Sequence, residues 1–589
     1  MKQIVIIFMG IITSSTLVTG QDMGDKVFSN DIIHEIRFYS ETEPDLLDTL
    51  YQDAEDREKE YYLVKMFFDG EEVDSVGLRI KGFLSLSSPQ IPLKVDINEY
   101  VDGQKFDGLK KFGLSNSFGD SDRQRDRVAY EINRRAGIPS PRTSYAEVYL
   151  NDEFLSVYVL VQQIDNYFIK DHFADEGSLN KGGLLPKYGD YFDFLPPQFF
   201  IPWKERIQNL DLTSFLKFEL INTVLEATDS YPVENHYWYY SEKEDLEYLL
   251  PWDHNFTLPG ANFYPTLNPD PVSFQDSIWE TPEIKEYYLT LACETSQYLL
   301  DDDYIDELVN NNHAIISSNS QNQSVADPAA FREIIRYRKE WLNQQIIDEG
   351  VVCPSLDYPY DIGDLVINEF VAKSDSTNGV QEPDGGTPDW IELYNNTDQD
   401  ITLDRKFYLS NDIDFPKKWS FKNSVTIPAK SYQIIWADRD VHQQGVHSNF
   451  KIKKSGGDLI LFYEDLTMID LVSYTNQELN KGYARVPNGV GDFKIQEPTF
   501  NSNNDMTTSI NSMFENELIN IYPNPSSRFV NISTEAQIDK MAIYSTTGQL
   551  ILDNIDTEKS IDLLNIPSGN YFLNIYTGQN QATYMIMKH

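Results

Sequence analysis

The chain has 589 residues, too many for one ordinary domain, and its 41% apolar and 13% aromatic content suffices for several packed cores rather than a disordered polymer. Asp and Glu outnumber Lys and Arg by 93 to 48, a formal net charge of −45. A field of that sign repels nucleic acid and anionic membrane surfaces and attracts divalent cations or basic partners, which argues against a nucleic-acid partner and fits a heavily solvated exported protein.

The N-terminal stretch "MKQIVIIFMGIITSSTLVTGQD" has one Lys, an apolar run, then small and polar residues. It predicts an export signal over residues 1–20, with cleavage near Gly20–Gln21. No later segment reaches the roughly 18 apolar residues of a spanning helix, so no transmembrane segment is expected. Export permits a disulfide between Cys293 and Cys353, but two buried thiols are an equal alternative.

Residues 28–350 mix strands and helices. "GLRIKGFLSLSS" reads as a strand and Ser-rich loop carrying Arg79 and Lys81, and "PLKVDIN" as an alternating strand carrying Lys94. "DRQRDRVAYEINRRAG" predicts a basic helix whose arginines read first as salt-bridge partners. Lys187 lies in "LLPKYGD". In "LTSFLKFELINTVLEA", Leu212, Phe215, Leu216, Ile221, Val224 and Leu225 fall on or near one helix face, with Asp211 or Thr213 as the cap. Pro232 is expected to stop this helix, leaving Asp229 at its end or in the loop.

Next, "HYWYY" and "EYLLPW" predict a hairpin across "SEKEDL". A hairpin returns the chain to its start, so Asn235 at its entrance and Asp253 at its exit share one end, close to Asp229. Three oxygen donors of this kind suit Mg²⁺. The order Asp229, Asn235, Asp253 also follows the catalytic Asp, metal-binding Asn and second metal-binding Asp of protein kinases. The spacing departs from that pattern: no His-Arg precedes Asp229 and no Phe-Gly follows Asp253. None of the eight His stands at metal-motif spacing, and G-x-S-x-G, H-E-x-x-H and G-x-x-x-x-G-K-[ST] are missing, which counts against serine hydrolase, zinc protease and P-loop chemistry.

From "DLVINEFVAKS" onward, residues 362–500 read as short strands between Asp, Asn and Gly turns, a β-sandwich pattern. Asp389 and Glu392 lie an odd number apart on one strand and should face opposite sides, so the acids around Asp384 read as solvated turn residues rather than a calcium site. Residues 501–517 are polar and aperiodic, a linker, and 518–589 form a second small set of strands.

Three resemblances attach to these regions. "INIYPNPSSRFVNIS", "IYSTTGQLI" and "IPSGNYFLNIYTG" are similar to the type A C-terminal sorting domain of the type IX secretion system of Bacteroidota. This implies the type IX machinery as partner and a secreted or surface-attached protein. "VINEFVA", "PDWIELYNNT", "GGDLILF" and "GYARVPNG" resemble the lamin-tail family, an immunoglobulin-like sandwich used for attachment or recognition. "VGLRIKGFLSLSS", "PLKVDINEY", "VYVLVQQIDNYF", "VLEATDSYPVENHYWYY" and "LLPWDHNFTLPG" resemble the CotH kinase family. That resemblance implies an α+β atypical protein-kinase-like fold, ATP with Mg²⁺ or Mn²⁺ as cofactors, and transfer of phosphate to Ser or Thr of a surface or secreted protein. It assigns Asp229 to the acceptor hydroxyl, Asn235 and Asp253 to metal, and Arg79, Lys81, Lys94 and Lys187 to the phosphate side. Gln162 and Asn255 stand where family members often carry acids. The competing expectation is a catalytically degenerate surface protein that binds an envelope glycan or protein through its sandwich.

Overall fold

A computed structural model describes residues 23–588 apart from 183–184, 189–208, 231–234, 261–266, 268–278, 322, 506–519, 523–525, 527, 535–537, 546–549, 556–559 and 578–579. The expected export signal, Pro232 and most of the expected linker lie outside the described residues. Two compact units result, one up to Asn504 and one from Asp505.

The first unit begins with a closed barrel of seven strands: β1 (Ile33–Tyr39), β2 (Tyr62–Phe68), β3 (Glu71–Ile80), β4 (Leu93–Asp96), β5 (Lys111–Ser115), β6 (Thr143–Leu150) and β7 (Glu153–Gln162). Alternation sets its inside: Ile36 and Phe38 of β1, Leu78 and Ile80 of β3, and Leu93 and Val95 of β4 are fully buried. Arg79 and Lys94, Cα partners across β3 and β4, fall on the opposite face. Helices α1 (Leu46–Asp56), α2 (Arg125–Arg135) and α3 (Asn166–His172) complete this lobe.

The second lobe carries a four-stranded sheet in the order β11-β10-β8-β9, built from β8 (Ser178–Lys181), β9 (Leu185–Tyr188), β10 (His236–Ser241) and β11 (Leu246–Pro251). Around it lie α4 (Leu212–Val224), α5 (Pro282–Glu294), α6 (Asp302–Ser317) and α7 (Pro328–Asp348). Helix α4 starts as expected, with Asp211 accepting the Ser214 N–H at 2.8 Å. It is buried on every side from Phe215 to Val224, not along one face, because β11, α2, α5 and α7 all pack on it. Even Lys217 is inside, its Nζ donating to the Ala136 carbonyl at 2.8 Å.

Cys293 and Cys353 form a disulfide with Cα atoms 5.5 Å apart, tying α5 to the chain that leaves α7. Replacing both by Ser should cost about 2–4 kcal/mol, since the bridge closes a long loop in the unfolded chain. Denaturant titration of oxidised parent against the double variant measures this, and coincident curves would refute it.

The sandwich pairs a five-stranded sheet, β18-β13-β12-β21-β22, with a four-stranded sheet, β16-β15-β19-β20, and a two-stranded ribbon, β14-β17. In chain order these are β12 (Leu365–Val371), β13 (Trp390–Asn395), β14 (Ile401–Leu403), β15 (Phe407–Ser410), β16 (Trp419–Ser420), β17 (Val425–Ile427), β18 (Tyr432–Trp436), β19 (Gly456–Tyr463), β20 (Met468–Thr475), β21 (Gly482–Val486) and β22 (Asp492–Gln496). Glu392 is not a solvated turn acid. It is fully buried on β13, accepts Asn368 Nδ2 at 2.9 Å and Asn501 N–H at 2.6 Å, and stands opposite the equally buried Glu369. Burial and then the neighbouring Glu369 push its carboxyl up to about 8, after allowance for the Asn368 hydrogen bond.

The sandwich is bound to the lobe before it. Lys417, fully buried at its side chain, pairs with Glu294 of α5 and donates to the Glu464 carbonyl at 2.6 Å. Arg134 of α2 pairs with Asp412 at 3.0 Å, and Lys243 in the β10–β11 turn pairs with Asp440 at 2.6 Å.

The second unit holds two sheets, β23-β24-β27 and β26-β25-β28-β29. Their strands are β23 (Asn520–Tyr522), β24 (Phe529–Ser533), β25 (Lys540–Ser545), β26 (Leu550–Ile555), β27 (Ser560–Asp562), β28 (Gly569–Thr577) and β29 (Asn580–Lys588). Val530, Ile543, Leu573 and Ile575 form its core. Among the described residues, no helix is long and apolar enough to cross a membrane.

Candidate functional site

Helix α4 ends at Val224, before the region of Pro232. Glu226 takes φ +53°, the left-handed conformation in which helices commonly stop, and the Ala227 N–H turns back to the Asn222 carbonyl at 2.9 Å. Arg338 of α7, its side chain 1% exposed, holds this end. Its Nε donates to the Val224 carbonyl at 2.9 Å, its Nη2 to the Thr223 carbonyl at 3.0 Å, and its Nη1 pairs with buried Glu226 at 3.3 Å. A cation at a helix C-terminus also meets the negative end of the dipole. The chain leaving this cap delivers Asp229.

Asp229 is half-buried, and Asn235 Nδ2 donates to its Oδ2 at 2.9 Å. This leaves the Asn235 Oδ1 as an acceptor. The register of β10 and β11 pairs His236 with Pro251, so Asn235 and Asp253 flank the same end of the hairpin. Asp253 takes φ +60°, and its N–H donates to the Tyr130 hydroxyl at 2.8 Å. The next N–H, of His254, donates to Asp126 Oδ1 at 2.8 Å. Helix α2 thus fixes the exit of β11 through two side chains one turn apart, Asp126 and Tyr130.

Three carboxylates share this space. Burial, and then the charge of Asp253, push Asp229 up to about 6. Burial pushes Asp126 up as well, and Asp253 again adds to it, while the cation Lys81 opposes. Lys81 Nζ lies 5.6 Å from the Trp252 ring centroid and directly over Gly113, where a Cβ would stand 2.9 Å from it. Lys181 flanks the same ring at 5.7 Å. Asp126 and Lys181 were not singled out from the sequence. The signal that could have found Asp126 is an acid inside an arginine-rich helix four residues from an apolar Tyr.

The remaining candidates are placed differently. Lys94 faces the same side as Arg79 and Gly113, and burial, then Arg79 and Lys111, push its ammonium down to about 8. Gln162 shares its register with Phe112 and Val95, on the other face, and its Oε1 accepts the Arg142 N–H at 3.1 Å. Asp165 caps α3 by accepting the N–H groups of Tyr167 and Phe168 at 2.9 and 3.2 Å, within reach of the charges of Lys111 and Lys94. Asn255 donates Nδ2 to the Phe118 carbonyl at 2.8 Å. Lys187 lies on β9, and its side chain is outside the described residues. The arginines in and just before α2 are used internally: Arg127 donates to Asn30 at 2.7 Å, Arg135 stacks on Tyr304 at 3.7 Å, and Arg123, ahead of the helix, donates to the Val157 carbonyl.

Two mutually repelling carboxylates, Asp229 and Asp253, together with the Asn235 amide oxygen at the same end of the hairpin, offer hard oxygen donors of the kind that suit Mg²⁺ or Mn²⁺. The folded-state pKa of Asp229 lies above its ordinary value, so this group favours the fold at acid pH and that contribution is lost as pH rises through about 6. The same proton would compete with a metal held beside Asp229. Mn²⁺ affinity of the full chain should therefore weaken as pH falls through about 6, as followed by spin-resonance titration. A flat profile across this range would refute the assignment of Asp229 to the metal's surroundings.

Residues 78–195 and 202–345 match the family model "CotH kinase protein", 359–476 match "Lamin Tail Domain", and 520–589 match "Secretion system C-terminal sorting domain". A search of the curated proteins gives no match. A sorting domain of this kind implies handling by the type IX secretion machinery and supports a secreted or cell-surface location. The chain is therefore similar, in this order, to the CotH kinase protein family, the lamin tail domain and the secretion system C-terminal sorting domain.

Proposed function

We propose that the N-terminal region is a CotH-type protein kinase that transfers the γ-phosphoryl of Mg-ATP, or Mn-ATP, to Ser or Thr of a surface or secreted protein. The observation that carries this reading is Asp229, clamped by Asn235 and raised to about 6 by burial and by Asp253. A base that titrates near ambient pH is suited to accept a hydroxyl proton. Bound nucleotide and metal supply the phosphoryl group and the positive charge that offsets the carboxylates. Asn235 and Asp253 are the proposed metal ligands, and Asp229 orients the acceptor hydroxyl and takes its proton. Lys81, beside Trp252, would meet the phosphates, with Arg79 and Lys94 as further cations, and Lys187 joins them on the family resemblance alone. Gln162 acts as a positioning residue, through the Arg142 backbone.

A second reading, binding to a protein or glycan without transfer, is favoured by Asn255. Its amide is spent on the Phe118 carbonyl, and it brings no carboxylate to a second metal. Incubating the full chain with labelled ATP and Mg²⁺ or Mn²⁺ separates the two. Label transferred to a protein hydroxyl by the parent but not by Asp253→Asn supports the kinase. Failure to bind nucleotide at millimolar ATP with either metal overturns it.

A further inference from the structure

Away from the kinase-like cleft, the sandwich brings together three groups from separate segments: Glu382 in the loop between β12 and β13, Asp438 just after β18, and His447 in the loop that follows. One ligand atom from each lies within 4.8 Å of the others. His447 Nδ1 is 3.1 Å from both oxygens of Asp438 and 4.0 Å from Glu382 Oε2. Two ligands bound to one ion at about 2.1 Å stand roughly 3.0–3.4 Å apart, so the closer spacing is already that of a shared ion.

The polarity of the group calls for positive charge, which a bound cation would supply to all three groups and a proton on His447 would supply to Asp438 alone at hydrogen-bond distance. His447 Nε2 is 3.3 Å from the Gln444 carbonyl, which can only accept, so Nε2 carries the proton in the neutral ring and Nδ1 presents a lone pair. That lone pair faces two carboxylates, and Glu382 is 7% exposed with its Oε2 making no hydrogen bond. Asp384 and Asp440 add further negative charge around Glu382. Three acceptors therefore converge in a buried place.

The backbone is shaped to permit this approach. Residues 382–386 close on themselves through the Glu382 N–H to the Gly386 carbonyl at 2.9 Å. A Cβ on Gly386 would stand 2.2 Å from Glu382 Oε1, so only glycine leaves room for that carboxylate. The Gln444 N–H donates to Asp384 at 2.8 Å and holds this loop against the one bearing His447.

We infer that Glu382, Asp438 and His447 bind a zinc-class divalent ion, held by His447 Nδ1 and one oxygen from each carboxylate. An imidazole among the ligands selects Zn²⁺ over Ca²⁺ or Mg²⁺. The ion pins the β12–β13 loop to the β18–β19 connection, which also carries Asp440, the partner of Lys243. Its role is to brace the sandwich where it touches the β10–β11 hairpin.

The test uses the full chain, stripped with chelator and titrated calorimetrically with Zn²⁺, Mn²⁺ or Ca²⁺. An Asp229→Asn, Asp253→Asn double variant removes the cleft as a competing site. This variant should keep one equivalent of Zn²⁺ and bind Ca²⁺ far more weakly. Adding Glu382→Gln, or separately His447→Gln, should weaken Zn²⁺ binding at least about 100-fold, as loss of a ligand exceeds loss of an outer partner. Melting curves in chelator check that these variants fold, and the stoichiometry of the cleft variant decides the matter should they not. The proposal is overturned if the cleft variant binds no Zn²⁺, as when His447 holds the two acids with a proton alone. It is equally overturned if the added substitutions leave the affinity unchanged.

Discussion

Asp253→Asn should reduce phosphoryl transfer by at least about 10²–10³-fold, because it removes a full negative charge from the metal's surroundings while preserving shape. The same substitution has a second, independent readout. Asp253 is the neighbouring charge that helps hold Asp229 at about 6, so in the variant Asp229 should titrate closer to its ordinary value. Carboxyl chemical shifts against pH report this without any turnover. Loss of transfer with an unmoved Asp229 would mean the two acids do not share a site. An unmoved rate would sink the catalytic assignment itself. The fold should survive, because the hydrogen bond that fixes this turn uses the Asp253 backbone and the Tyr130 hydroxyl, not the substituted carboxyl.

Arg338→Met should be the most damaging single change away from the cleft, costing about 3–5 kcal/mol. It removes the ion pair with fully buried Glu226 and leaves the Thr223 and Val224 carbonyls without the guanidinium. Arg338→Lys should rescue little, since one ammonium cannot reproduce a planar fork that serves two carbonyls and a carboxylate. Pairing Arg338→Met with Glu226→Gln should recover part of the loss, because it also removes the buried charge that Arg338 offset. Urea unfolding of the four chains checks this order. Equal midpoints for the parent and Arg338→Met would refute it. Metal affinity should fall alongside stability, since Asp229 leaves the same capped helix end.

Much of the cleft was legible because its parts are close in sequence. The hairpin of β10 and β11 is announced by two aromatic or apolar strands around a charged turn, and a hairpin returns to its start, so Asn235 and Asp253 flank one end. The sandwich was legible from the alternation of its strands. Asp229 was expected at the helix end or in the loop and lies in the loop, but the helix stops well before Pro232, because Glu226 in a left-handed conformation has no sequence signature whereas Pro232 has a strong one. Asp126 was missed for a different reason. Its partner, the His254 N–H, is 128 residues away, and only the docking of α2 against β11 brings them together. His447 likewise carries no motif, since its two acids come from separate loops. Glu392 shows the converse: alternation placed it on a strand, but whether its face met water or a buried amide depended on Asn368 and Asn501.

Lys417, enclosed between Glu294 and the Glu464 carbonyl and closed over by Gly137, bears on how the molecule could meet a large acceptor. A sandwich on a slack tether would let captured cargo wander, at an effective concentration set by tether length. Here it is a stiff arm instead. If the proposed transfer uses the sandwich to hold its acceptor, that polypeptide would reach the cleft at one bearing and one reach, and its hydroxyl groups would be selected by a ruler as much as by the residues around them.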